Sequence, residues 1–280
     1  MNRDPIAQDV ARELEALAKG GAHDAGGPRA TFHLYSLTEQ VRRAAEVVPA
    51  YLERDPDVGR DGQAAIVTAG PPGAGKTTAL ESAGLLSGSF RNIDADVVKD
   101  MLIERALHDG IFNDLLSRRL ADGRPVRPRE LAGLVHHEST AITHNLTQLC
   151  ARRGENILVQ GTLAWDQQPR VLLNMLEESE YASLTIVDVE VNLALALERA
   201  LDRWWLGRVD ASDPMGGRFT PSHVIEGLYL PDGSTKCRTN AEFMLAMSGQ
   251  IPATLRVLST DGDISTEVVK MRAGGLDATG

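Results

Sequence analysis

The sequence predicts an α/β fold of about five mainly parallel strands with helices on both faces, preceded by a helical N-terminal extension. Three observations predict it. From residue 64 onward, short apolar segments alternate with amphipathic helical ones, the pattern of a sheet built from crossover units. The first apolar segment runs straight into glycines, a lysine and two threonines, "AIVTAGPPGAGKTTAL" at 65–80. Before residue 60 the apolar spacing is helical only.

In chain order, Ile6, Val10, Leu14 and Leu17 sit at helical spacing over 5–19, and Gly20-Gly21 ends that run. "GGAHDAGGPRA" then predicts a glycine-rich linker over 20–30. Ser36 and Glu39, at capping-box spacing, open a second helix. Its expected apolar stripe is Val41, Ala44, Ala45, Val48 and Leu52, and "DPDVGRDGQ" closes it. Strands are expected at 64–69, 90–94, 156–161, 184–191 and 254–259. Helices are expected at 77–86, 97–107, 128–152, 167–179, 193–206 and 240–248, with the periodicity breaking down over 108–130.

Of the 280 residues, 42% are hydrophobic and 24% charged, the mix of a globular protein with a sizeable core. The formal net charge of −10 argues against a surface held by nucleic-acid phosphates or anionic lipid, so neither nucleic acid nor membrane is an expected partner. Cys150 and Cys237 form no metal-ligand spacing and are expected as free thiols. The charged N-terminus is no secretion signal, and no apolar run reaches the roughly 20 residues of a membrane span. A cytoplasmic protein is the expectation.

Gly70 to Thr77 matches G-x-x-x-x-G-K-[ST] in full. Such a loop turns successive backbone N–H groups inward to form an anion cradle. Gly70, Pro72, Gly73, Ala74, Gly75, Lys76, Thr77 and Thr78 are therefore expected to hold ATP or GTP. Lys76 would reach the β- and γ-phosphates and the Thr77 hydroxyl would ligate Mg²⁺.

Binding alone does not choose between switch, motor and kinase. The Asn/Thr-Lys-x-Asp signature that reads guanine is absent, and the strand ending "NILVQGT" carries no acid. Asp94 and Asp96 instead stand at the end of the second strand, on the ligand rim of an open α/β sheet. There a carboxylate can orient and deprotonate an acceptor hydroxyl. Arg199, Arg203 and Arg208 precede the glycine loop "DPMGG", and Arg218 follows it. Arginines so placed suit a lid over developing phosphoryl charge. At least one of Trp204 and Trp205 is expected to pack against the sheet, while Trp165 is placed to meet a ligand. His136 and His137, being adjacent on a helix, are expected on a solvated surface rather than around a metal.

"GPPGAGKTT", "NIDADVVKD", "NILVQGT" and "DPMGGRFTPSH", in this order and spacing, resemble the zeta-toxin family of P-loop kinases over about residues 35–260. The resemblance implies a P-loop kinase-like sandwich and transfer of the γ-phosphate of ATP or GTP, with Mg²⁺, to a sugar hydroxyl of UDP-N-acetylglucosamine. It also implies a small helical antitoxin as partner. Carried over by position, Asp96 is the general base, Lys76 and Thr77 the loop pair, and Arg218 the second lid arginine. Arg203 best matches the first lid arginine, with Arg199 and Arg208 as alternatives. Asp94, Lys99, Glu138, Gln160 and Thr162 are the expected acceptor contacts. Two positions depart from the family: Gln160 replaces an acid, and the substrate-contacting glutamate of the long helix falls on His144 by ungapped counting, with Glu138 six residues earlier.

The domain expectation is thus a helical extension over 1–60, a P-loop kinase domain over 61–265 with its arginine-bearing lid near 199–220, and a C-terminal tail over 266–280. Two other functions fit the same residues: a non-toxin kinase acting on a metabolite or antibiotic, and a nucleotide-dependent switch that transfers nothing.

Overall fold

The apolar segments that alternate with helices assemble into one six-stranded sheet, in the order β2-β3-β1-β4-β5-β6. The computed structural model describes residues 4–86, 88–261 and 264–272. In chain order the helical N-terminus comprises α1 (Pro5–Ala18), α2 (Thr31–Leu34) and α3 (Leu37–Leu52). There follow β1 (Ala64–Ala69), α4 (Lys76–Ser82), β2 (Arg91–Asp94), α5 (Ala95–His108) and α6 (Asn113–Ser117). A 3-10 helix over Pro128–Val135 leads into α7 (His136–Arg152), then β3 (Ile157–Gln160), α8 (Gln168–Glu178) and β4 (Ser183–Glu190). The chain continues through α9 (Leu193–Val209), α10 (Ser222–Glu226), α11 (Lys236–Ala246), β5 (Ala253–Asp261) and β6 (Ile264–Arg272).

These elements fall into two compact units. One contains the described residues of Met1–Glu53, Ala95–Thr143 and Glu198–Val224; the other contains those of Arg54–Asp94, His144–Leu197 and Ile225–Gly280. The second unit holds the sheet. β1 lies at its centre, parallel to β3 on one side and β4 on the other, and is buried along nearly its whole length. That burial on both faces explains why "AAIVTA" is continuously apolar rather than alternating. Strand order reverses at β1, so the loop after it sits at the switch point where open α/β sheets take ligands. The five predicted strands are all present, and a sixth, β6, pairs antiparallel with β5. Its residues Val268, Val269 and Met271 are exposed, as on an edge ribbon held mainly by its backbone ladder.

In the first unit, α1 buries Ala7, Val10, Leu14 and Leu17 while Ile6 stays exposed. The expected stripe of α3 is corrected: Val41 is exposed, and the buried positions are Arg43, Val47 and Tyr51. The reason is electrostatic. Arg43 donates from Nε to Glu138 at 2.8 Å and stacks over the Tyr35 ring at 4.0 Å, so an arginine takes the core-facing position. The predicted long helix at 128–152 divides into the 3-10 helix and α7. In the stretch of broken periodicity, α6 is followed by an Arg119–Pro125 bridge. His23 and Ala30, in the glycine-rich 20–30 stretch, are buried. Among the described residues no helix is long and apolar enough to cross a membrane.

Candidate active site

The glycine loop follows β1 directly. At Gly73, φ is +83°, and a Cβ there would fall 2.3 Å from the Ala196 carbonyl oxygen, so only glycine fits both the left-handed backbone and the close approach. Gly75 opens α4, and Gly75, Thr77 and Thr78 are exposed, whereas Ala74 is buried and Pro72 and Gly73 are half-buried. Lys76 curls over the loop and donates from Nζ to the Gly70 and Pro71 carbonyls at 2.7 and 3.0 Å. The ends of β1 and β3 are stapled together: Thr68 Oγ1 donates to the Gly161 carbonyl at 3.1 Å, and the Gly70 N–H donates to the Thr162 carbonyl at 3.1 Å. Thr162 thereby lies against the start of the loop. Gln160 is in register with Asp94 across the β2–β3 pair, and its Nε2 donates to Asn92 Oδ1 at 2.7 Å. These groups belong to the sheet-bearing unit.

The second set of predicted residues gathers in the other unit, on α5. Spacing on that helix buries Val98, Leu102 and Ala106 and leaves Asp96, Lys99 and Asp100 on another face. Lys99 Nζ donates to Asp96 Oδ1 at 3.0 Å, and Arg218 Nε lies 3.4 Å from Asp96 Oδ2. Burial alone would raise the Asp96 carboxyl, but Lys99, Arg218 and Arg203 together outweigh it and hold the group below the usual carboxylate range. The His136 imidazole feels both Lys99 and Asp96 and is pushed down to about 4 by desolvation and then by Lys99.

The three candidate lid arginines on α9 separate clearly. Arg203 is exposed and its charge reaches Asp96. Arg199 is half-buried. Arg208 is fully buried, donating to Asp122 and Glu130, and so cannot serve as a mobile lid group. Trp204 is buried with it and donates to Glu130 at 2.9 Å, with Phe219 5.1 Å away; Trp165 is 61% exposed. The "DPMGG" loop lies directly on α9, where a Cβ on Gly217 would fall 2.0 Å from the Trp204 carbonyl oxygen.

Glu138 is not presented to a ligand. Its side chain is 4% exposed and closed into an ion pair with Arg43. No cluster of three or more His, Cys, Asp or Glu able to hold a metal occurs among the described residues. Cys150 and Cys237 are both free and buried, with burial pushing them up to about 12 and about 11. Two groups escaped notice in the sequence. Asp100, in the very stretch "DADVVKD", accepts from Arg218, and Asp188 is a fully buried acid on β4. The one-turn spacing of Asp96 and Asp100 was the available signal for the first.

A phosphate loop at the switch point of a mostly parallel sheet, with a charge-held aspartate at the start of the helix after β2, defines a P-loop kinase-like α/β protein. The zeta toxin model matches residues 50–248. The chain belongs to the zeta toxin family, a family of kinase-like toxins. It is similar in structure to a chain from the PezAT chromosomal toxin–antitoxin system of the human pathogen Streptococcus pneumoniae. That pair shares 15% identity with a TM-score of 0.54, covering 82% of this chain and 80% of that one. A chain of the AvrRxo1-ORF1:-ORF2 complex is similar at 16% identity and a TM-score of 0.51, covering 98% and 70%. At such identities the likeness is one of fold. No curated protein matches the sequence.

Proposed function

We propose that this protein is a kinase-type toxin that transfers the γ-phosphate of ATP or GTP to a hydroxyl of a small metabolite, with UDP-N-acetylglucosamine or a related nucleotide sugar as the first candidate. The observation that carries this is Asp96, half-exposed yet held ionised by Lys99 and Arg218. An ionised carboxylate is the form that can accept a proton. Its lowered pKa makes it a weak base, which suits a loose transition state in which the hydroxyl loses its proton late.

In this mechanism the acceptor oxygen attacks the γ-phosphorus, the bond from that phosphorus to the β–γ bridging oxygen breaks, and the hydroxyl proton passes to Asp96. Lys76 and the loop amides hold the β- and γ-phosphates, while Arg203 and Arg218 meet the charge that develops on the equatorial oxygens. The exposed Thr77 hydroxyl, on the first turn of α4, fits Mg²⁺, which when bound would neutralise phosphate charge. Asp94, Lys99, Gln160 and Thr162 are the acceptor contacts. Gln160 keeps one amide N–H and its carbonyl oxygen for sugar hydroxyls while the other N–H serves Asn92. Glu138 is not offered as an acceptor contact, because Arg43 already occupies its carboxylate.

Family membership supports a small helical antitoxin that covers the nucleotide or acceptor site, in keeping with the toxin–antitoxin system to which the Streptococcus pneumoniae neighbour belongs. The test is incubation with labelled ATP and a panel of nucleotide sugars, read by mass spectrometry. A phosphorylated sugar nucleotide is expected. Label in another metabolite would replace the acceptor, and label in no acceptor at all would end the kinase assignment.

A further inference from the structure

Two of the arginine networks in the α5-bearing unit differ in kind. The Arg208 network is sealed from water and binds α9 to the 3-10 helix. The other is partly open: Arg218, Asp100 and Arg129 are 14%, 25% and 25% exposed. Partly solvated ion pairs are screened and hold a fold less firmly than a sealed network, which leaves room for a positioning role.

We propose that Asp100 is a positioning residue, dividing its two carboxylate oxygens between Arg218 and Arg129 and so fixing the Arg218 guanidinium beside Asp96. Its catalytic consequence rests on the kinase function proposed above. Asp100 stands one helical turn after Asp96 on α5, so both face the same neighbour. Arg218 Nη2 donates to Asp100 Oδ1 at 2.6 Å and to the Asp96 backbone carbonyl at 3.0 Å. Arg129 Nε donates to the other oxygen, Asp100 Oδ2, at 3.0 Å.

From there Arg129 reaches the loop that carries Arg218. Its Nη1 donates to Asp213 and, at 3.0 Å, to the Gly216 carbonyl, and its backbone N–H donates to the Met215 carbonyl at 3.0 Å. Asp213 in turn accepts from the Met215 N–H at 2.9 Å. The result is a closed ring: α5, Arg129, the 213–216 loop, Arg218, and back to α5.

Nη2 and Nε of Arg218 are thus turned toward α5, while Nη1, buried, has no hydrogen-bond partner among the described residues. An arginine held on two sides has its orientation set by the protein rather than by its ligand. Such orientation matters because misplacing a charge-stabilising group by about 1 Å costs on the order of 100-fold in rate. Asp100 touches no reacting atom; it acts through Arg218.

The full-length protein carrying Asp100→Asn tests this in two independent ways. In turnover, kcat should fall about 30-fold or more while the nucleotide KM stays within about threefold, since the interaction lost is made in the transition state. Asp100→Asn combined with Arg218→Ala should be no slower than Arg218→Ala alone. Losses that multiply, or a change in KM alone, would overturn the proposal. In ¹⁵N NMR, the Arg218 Nη signals, assigned by their loss in Arg218→Lys, should be resolved in the wild type and merged by free rotation in Asp100→Asn. Unchanged signals would equally overturn it.

The NMR arm needs no acceptor, so an absence of turnover in the wild type would count against the kinase function and leave Asp100 to be judged by Arg218 itself. Should Asp100→Asn fail to fold, Arg129→Gln removes only one grip and must give the same kcat-selective loss at smaller size.

Discussion

Arg208 donates twice from Nη1 to Glu130, at 2.7 and 2.8 Å, with neither side chain reaching solvent. Burial raises the Glu130 carboxyl, and Arg208 is the chief force opposing that rise. Trp204 and Arg208, one turn apart on α9, converge on the same carboxylate of the 3-10 helix. The helix that carries Arg203 and seats the 213–217 loop is thereby fixed from its inner face.

Removing one partner of this pair strands the other in a site closed to water. Arg208→Ala should therefore lower stability by about 3–5 kcal/mol in a denaturant titration. Arg203→Ala, on the exposed side of the same helix, should change stability by no more than about 0.5 kcal/mol while reducing transfer. Similar stabilities for the two variants would mean that the sealed network does not hold α9.

Gly73→Ala should weaken nucleotide binding. Its φ of +83° disfavours any side chain, and the added methyl would meet the Ala196 carbonyl. Isothermal calorimetry should show affinity for ATP reduced at least tenfold, with a lowered Tm. Wild-type affinity in this variant would show that the loop can relax without its glycine.

Asp188 offers a stability test against pH. It is fully buried on β4, and burial pushes its carboxyl up to about 7, with Glu190 adding to the rise and Arg238, 3.6 Å away, opposing it. Glu190, itself raised by burial, and Glu242 complete the charged surroundings. Because the folded chain keeps this proton to higher pH than the unfolded chain, stability falls as pH rises from about 4 through 7. Asp188→Asn should match the wild type near pH 4 and exceed it by on the order of 1–3 kcal/mol at pH 8. A pH-independent difference in thermal or denaturant melts would contradict the raised carboxyl.

Local chemistry was legible in the sequence, and long-range pairing was not. The phosphate loop, the five parallel strands and the Asp96 position each follow from contiguous residues, because hydrophobic period, glycine placement and strand-end acids are local signals. The buried face of α3 did not follow, since Arg43 looks solvent-facing until Glu138, 95 residues away, supplies its charge partner. β6 escaped because Val268 and Val269 fall together between Glu267 and Lys270, breaking the period-2 alternation that marks a strand, and both stay exposed. Asp188 was hidden inside the apolar run "LTIVDVEV". Arg129 reaches Asp100 and Gly216 from 29 and 87 positions away, a ring that no spacing rule announces.

Asp96→Ala tests most directly whether Asp96 takes the proton from an acceptor hydroxyl while the loop holds the nucleotide. With labelled ATP and the acceptor found for the wild type, product formation should fall by about 10²–10⁴-fold. ATP affinity measured by calorimetry on the same sample should be unchanged within about twofold. Transfer at the wild-type rate by that variant, with ATP still bound, would contradict the account.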